Sequence, residues 1–259
     1  MAVSFVVADH VARVTLERAE RMNAVDEQTA DELEAIWQQI EASEDIRVVV
    51  LSGSGDKAFC AGADLKAGAN TRSGLDYWAH ARRDGFGGLA LRRTLHVPVI
   101  ARVNGLAVGG GFELVLGCDI VIAAEHASFG LPEARVGRMP LDGGMLQLPR
   151  MIPQKIAMGM LLTGNRISAT DAMRYGFVNE VVAASELDAA VDRWVEQILK
   201  CAPLSVKAIK ECVKETSDLP LEEARSKRLP ALVAALQSED ADEGPRAFRE
   251  KREPVWKGR

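Results

Sequence analysis

Two glutamates, Glu113 and Glu133, stand twenty residues apart in surroundings that are otherwise apolar and rich in glycine. Glu113 follows Gly109-Gly110-Gly111-Phe112 and precedes Leu114-Val115; Glu133 ends Phe129-Gly130-Leu131-Pro132 and is soon followed by Val136-Gly137. An unpaired carboxylate is expensive among apolar neighbours, and two carboxyls in unlike environments divide readily into an acid and a base. If the intervening strand brings their loops together, the pair suits proton transfer on a small substrate. The bland alternatives are a helix-start carboxylate facing the dipole for Glu113 and a surface residue opening a helix for Glu133. The glycine triplet has its own two readings. At a strand-to-helix junction it exposes free main-chain N–H groups to an anionic oxygen, or it is a tight turn lying against another backbone.

Other chemistries lack their usual residues. Gly53-Ser54-Gly55-Asp56-Lys57-Ala58 fits G-x-G-x-x-[GA], but Phe59, Cys60, Gly62 and Gly68 make a poor helix, and a dinucleotide fingerprint needs a helix there. There is no G-x-x-x-x-G-K, G-x-S-x-G or H-E-x-x-H. His10, His80, His96 and His126 are not at metal spacing, so no metal site is expected; Cys60, Cys118, Cys201 and Cys212 form no C-x-x-C, which suits reduced thiols and a cytoplasmic setting. With 32 Lys and Arg against 37 Asp and Glu, the net charge of −5 argues against a nucleic-acid partner. The most apolar stretch, Val97 to Ala124, is interrupted by Arg102, Glu113 and Asp119, so no membrane span is expected, and Met1 to Ala12 lacks the basic start of an export or transit signal.

These residues need elements to hold them. In the 259-residue chain, residues 3–8 and 11–17 read as a hairpin, and a helix runs from an Asp26 N-cap to about Glu41. Arg47–Ser52, Pro98–Val103 and Asp119–Ala124 read as strands, a polar helix is predicted from about Asp76 to Leu95, and a short helix from Gly111 to Gly117. Helices then dominate: Gly144–Arg150, Pro153–Thr163, Ser168–Tyr175 with a Ser168/Asp171 capping pair, and Ser185–Lys200 with Ser185/Asp188. The alternation defines an α/β fold, with residues 1–201 as the core and 202–259 as a helical tail.

Five ordered motifs carry a resemblance: Phe59 to Lys66, Pro98 to Gly105 running into Gly109 to Leu114, Phe129 to Glu133, Leu162 to Ser168, and Glu243-Gly244-Pro245 through Phe248 to Lys251-Arg252. Over essentially its whole length the chain resembles the crotonase family of enoyl-CoA hydratases and isomerases. The resemblance implies a spiral of strand-strand-helix turns with a C-terminal part used for trimers, or hexamers as paired trimers. It implies an acyl-CoA thioester substrate and no further cofactor. Its oxyanion hole would be the amides of Ala63 and Gly110, and its catalytic carboxyls Glu113 and Glu133, whose joint presence favours water addition to a 2-enoyl-CoA. Coenzyme A would run past Ala61, Asp64, Leu65 and Lys66, with Arg21 and Met22 near its pantetheine or adenine end, and Phe248 and Lys251 reaching a site across a subunit contact.

The chain departs from the hydratase pattern at Leu141-Asp142, where those enzymes carry a small Gly-Ala pair. Some dienoyl-CoA isomerase and carnitinyl-CoA dehydratase relatives have an acidic residue at the position of Leu141, and the tail resembles the carnitinyl-CoA dehydratases in particular. Asp142 reads first as the N-cap of the helix that follows, then as a partner for a cationic acyl substituent or an extra acid/base. Carnitinyl-CoA dehydration and isomerisation are therefore the alternatives to plain hydration, and RNA binding on the same scaffold is a remote one.

Overall fold

The computed structural model describes residues 1–64 and 74–259. Strands β1 (Val3–Ala8) and β2 (Val11–Leu16) form the expected hairpin, turning at Asp9 and His10, both at positive φ. Helix α1 (Glu27–Ala42) starts where the Asp26 carboxylate accepts the Thr29 amide at 2.9 Å, and it buries Leu33, Ile36, Trp37 and Ile40. Then come β3 (Val48–Gly53), β4 (Ala58–Cys60), α2 (Gly74–Ala79), β5 (Val99–Val103), β6 (Leu106–Val108) and α3 (Gly110–Leu116). Next are β7 (Ile120–Ala124), β8 (Ser128–Gly130), α4 (Gly144–Met151), α5 (Gln154–Thr163), β9 (Ile167–Ser168), α6 (Ala169–Tyr175) and β10 (Glu180–Val182). The chain closes with α7 (Leu187–Leu199), α8 (Pro203–Thr216), α9 (Leu221–Ser226), α10 (Pro230–Leu236) and α11 (Glu239–Glu250).

The spiral is visible in the strand order. A six-stranded sheet runs β1-β2-β3-β5-β7-β10 and a four-stranded sheet runs β4-β6-β8-β9, so each pair β3/β4, β5/β6 and β7/β8 gives one strand to each sheet. Within both sheets these neighbours are parallel. One face of the large sheet takes Leu187, Ala190, Val191 and Val195 of α7 over Val48, Val50, Ile100 and Ile122. The larger core includes a trio of rings, Phe112, Phe129 and Phe177, with centroids 5.2 to 5.5 Å apart. Among the described residues no helix is long and apolar enough to cross a membrane.

Two sequence expectations are corrected. The helix predicted from Asp76 to Leu95 stops at Ala79, because Gly85, Gly87 and Gly88 adopt left-handed φ of 72°, 58° and 67° and turn the chain into a knuckle under α1. Ser185 lies in a short 3-10 turn, and α7 begins after Glu186 without a side-chain cap, whereas Ser168 does accept the Asp171 amide. The Gly53–Ala58 segment joins two strands, so it presents no helix start to a pyrophosphate.

Candidate active site

Three parallel strands of the small sheet end at one cleft of about 870 Å³. Beyond the end of β4 comes Ala63, beyond β6 comes Gly110, and beyond β8 comes Glu133; α3, which continues from β6, adds Glu113 in its first turn. All four line the cleft, together with Ala61, Asp64, Leu141 and Asp142. Leu65 and Lys66 lie outside the described residues. Arg21 and Met22 do not line the cleft, although the Met22 carbonyl accepts the amide of the lining residue Ala61 at 3.0 Å. Phe248, largely exposed, and Lys251 are on the tail and do not line the cleft of the single chain.

Ala63 and Gly110 have main-chain amides that meet no protein acceptor among the described residues, while the flanking groups are bonded: Val25 N–H to Gly62 O, Asp64 N–H to Val25 O, and Gly109 N–H to Gly130 O. Gly62, at φ +86°, brings the two loops together; a Cβ there would stand 3.0 Å from the Val108 oxygen and 3.2 Å from the Gly110 nitrogen. Arg18 fastens the Ala63 side, reaching the Asp64 carboxylate at 2.9 Å, the Asp26 carboxylate at 3.0 Å and the Ala24 carbonyl. Two adjacent, unengaged N–H groups facing a cleft are what a developing oxyanion requires.

Glu113 is 3% exposed and its Oε1 accepts the Gly144 amide at 2.9 Å. Burial, with the charges of Asp142 and Glu133 adding to it against the Gly144 hydrogen bond, pushes its carboxyl up to about 8. Burial raises Glu133 and Asp142 as well. One Glu133 oxygen, Oε2, is buried without a hydrogen-bond partner among the described residues, and its Oε1 lies close enough to Gly109 that a Cβ there would be 3.2 Å away. None of the three carboxyls forms an ion pair with a basic side chain among the described residues. Basic groups lie elsewhere on the wall: His80, Arg82, Arg135 and Arg138.

Asp142 does not cap α4. Gly143, at φ +118°, is the N-cap, and the buried Asp142 carboxylate instead accepts the Tyr77 hydroxyl across 65 residues of sequence. Burial and the neighbouring Asp142 hold the Tyr77 phenol well above its ordinary value. Tyr77 and Phe86, both lining the cleft, were not identifiable from the sequence, because nothing local marks a side chain in a misread helix as facing a distant loop.

The enoyl-CoA hydratase/isomerase family profile matches residues 7–259. The chain is similar to carnitinyl-CoA dehydratase of Salmonella heidelberg, 44% identical over 253 residues, covering 96% of this chain and 95% of that protein. Among solved structures it is similar to an enoyl-CoA hydratase from Bacillus anthracis, with a TM-score of 0.91, 35% identity and full coverage of both chains. It also resembles the enoyl-CoA hydratase of Mycobacterium tuberculosis, with a TM-score of 0.90 and 32% identity over 100% of this chain and 99% of that one. An α/β spiral whose small sheet ends in paired free amides and two glutamates thus meets sequence and structural likeness over its whole length: the chain is an enzyme of the enoyl-CoA hydratase/isomerase family.

Proposed function

We propose that the protein reversibly adds water to 2-enoyl-CoA thioesters, with the thioester carbonyl in the Ala63/Gly110 pair. The observation that carries this reading is the Oε2 of Glu133, unpartnered among the described residues, in one cleft with the buried Glu113 carboxyl and two free amides. Burial raises both carboxyls, and the Glu133 charge adds to the rise at Glu113, which suits a site that works with one of the two protonated and the other ionised. In hydration, ionised Glu113 takes a proton from water as its oxygen bonds to the β-carbon, and Glu133 gives its proton to the α-carbon of the enolate. In dehydration the steps reverse: Glu133 removes the α-proton and Glu113 protonates the leaving hydroxyl. The raised Glu113 carboxyl leaves the resting site protonated for this second direction. Separate Glu113→Gln and Glu133→Gln variants, assayed with crotonyl-CoA, are expected to fold and to lose about 10²–10⁴-fold in turnover. Near-normal hydration by either removes the role given to that residue.

One observation favours a second reading, crotonobetainyl-CoA hydration, the reverse of the dehydration for which the Salmonella relative is named. Asp142 and the Tyr77 ring share the cleft with two further carboxyls, none ion-paired with a basic side chain among the described residues, which suits a trimethylammonium group. Comparing crotonyl-CoA with crotonobetainyl-CoA on the parent and Asp142→Asn decides between them. A strong cationic preference abolished by the substitution makes the second reading correct.

The working enzyme on this reading is a homotrimer, or two trimers paired, in a cytoplasmic setting that suits four free thiols. Its support is uncovered apolar surface: no residue of α10 is buried, and Val136, Met139, Leu146 and Leu162 are all more than half exposed.

A further inference from the structure

Arg92 is distant from the reacting groups in sequence and absent from the cleft wall, yet its side chain is 3% exposed and fully engaged. Its Nε and one terminal nitrogen grip both oxygens of Glu41 at 2.7 Å. The other terminal nitrogen reaches Glu34 at 3.0 Å, Asp84 at 3.2 Å and the Gly88 carbonyl at 3.1 Å. Burial works against this charge, and the Glu41 and Glu34 hydrogen bonds more than offset it. Glu34 and Glu41 are on α1; Asp84 and Gly88 belong to the left-handed glycine knuckle. Arg92 therefore ties the knuckle to α1, and Trp37 adds a second tie by donating its indole N–H to the Gly87 carbonyl at 2.8 Å.

What the knuckle carries is Phe86. Its ring lies on Gly110 so closely that a Cβ at Gly110 would meet ring atoms at 2.4 to 2.6 Å. Gly87 lies equally close to α3, where a Cβ would be 2.8 Å from Leu114 Cδ2. The peptide that presents the Gly110 amide is thus held between the Phe86 ring on one side and Gly62 on the other.

We propose that Arg92 is a positioning residue for the Gly110 amide, acting through Phe86, so that a clamp of three carboxylates and one carbonyl, with no substrate contact, sets one half of the oxyanion hole. The proposal rests on the oxyanion reading given above. Lysine keeps the charge but cannot grip Glu41 with two parallel bonds while spanning the knuckle, and misplacing a catalytic group by about 1 Å costs on the order of 10²-fold in rate.

The test uses the full chain as parent, Arg92→Lys, Phe86→Leu and the double variant. Turnover of crotonyl-CoA is measured alongside the absorption of bound 4-aminocinnamoyl-CoA, which moves to longer wavelength as its carbonyl is polarised. Each single variant is expected to lose about 10- to 100-fold in kcat, with KM changed less than threefold and the wavelength shift reduced. The double variant should be no worse than the poorer single one, because both act on one amide. Full kcat and an undiminished shift in the folded fraction of Arg92→Lys overturn the proposal, as does a double variant whose losses multiply. If Arg92→Lys does not fold, an undiminished shift in Phe86→Leu overturns it alone. A parent that neither turns over enoyl-CoA nor shifts the probe refutes the oxyanion reading itself and takes the proposal with it, an outcome distinct from the others.

Discussion

Burial raises the Glu113 carboxyl to about 8, and this has a consequence for stability as well as chemistry. Its folded carboxyl, at about 8, lies above the ordinary value of 4.5, so the folded state binds that proton more tightly than the unfolded chain does. The stabilisation is complete below the unfolded value and is lost as pH rises through about 8. Glu113→Gln keeps the neutral shape and escapes the loss. Its melting temperature relative to the parent is expected to rise by several degrees between pH 5 and pH 9, checked by thermal denaturation across that range; a difference independent of pH contradicts the burial argument. Glu113, Glu133 and Asp142 line one cleft, and their charge bears on which substrates the proposed reading admits. An acyl-CoA ending in its own carboxylate brings a further negative charge into a cleft that already holds Glu133 and Asp142, and its kcat/KM is expected to fall by at least about tenfold against crotonyl-CoA, with Asp142→Asn recovering part of the difference. A substrate panel measures both.

At the scale of elements, α3 starts against the small sheet with almost no clearance. A Cβ at Gly111 would stand 2.1 Å from the Cys60 carbonyl oxygen, part of the β4 backbone. Gly111→Ala is expected to cost about 3–5 kcal/mol, whereas Gly137→Ala, in open space at φ +69°, is expected to cost about 1 kcal/mol; urea denaturation compares them. The long strands, α1 with its Asp26 cap and the Ser168 cap were legible because hydrophobic period and capping chemistry are local. The small sheet was not: β4, β6 and β8 have three residues each, too few to display a period, and their parallel pairing is entirely non-local. The glycines at 85, 87 and 88 carried the signal against a long helix there, but their left-handed turn depends on Trp37 and Arg92 gripping it. Glu113 and Glu133 were legible as a pair through their apolar settings. Asp142 was misassigned, since capping is a local reading and its partner Tyr77 comes from another turn of the spiral.

Across the whole molecule, the exposed apolar side chains of α4, α5 and α10 lie on elements outside the two sheets, so association can cover them without disturbing the spiral. Light scattering is expected to give three or six times the chain mass, and a stable, active monomer contradicts the trimer. The spiral also fixes a dimension that no side chain controls. Ala63 and Gly110 follow the ends of β4 and β6, neighbours in one sheet, and neighbouring strands lie about 4.8 Å apart by the geometry of their own hydrogen bonds. An oxygen about 3 Å from each of two donors needs a gap of that order. On the oxyanion reading proposed above, the small sheet acts as a gauge for one carbonyl oxygen. Substitutions in the cleft are free to exchange the acyl group or the proton chemistry, but a wider acceptor would demand a different strand spacing, which the sheet does not offer.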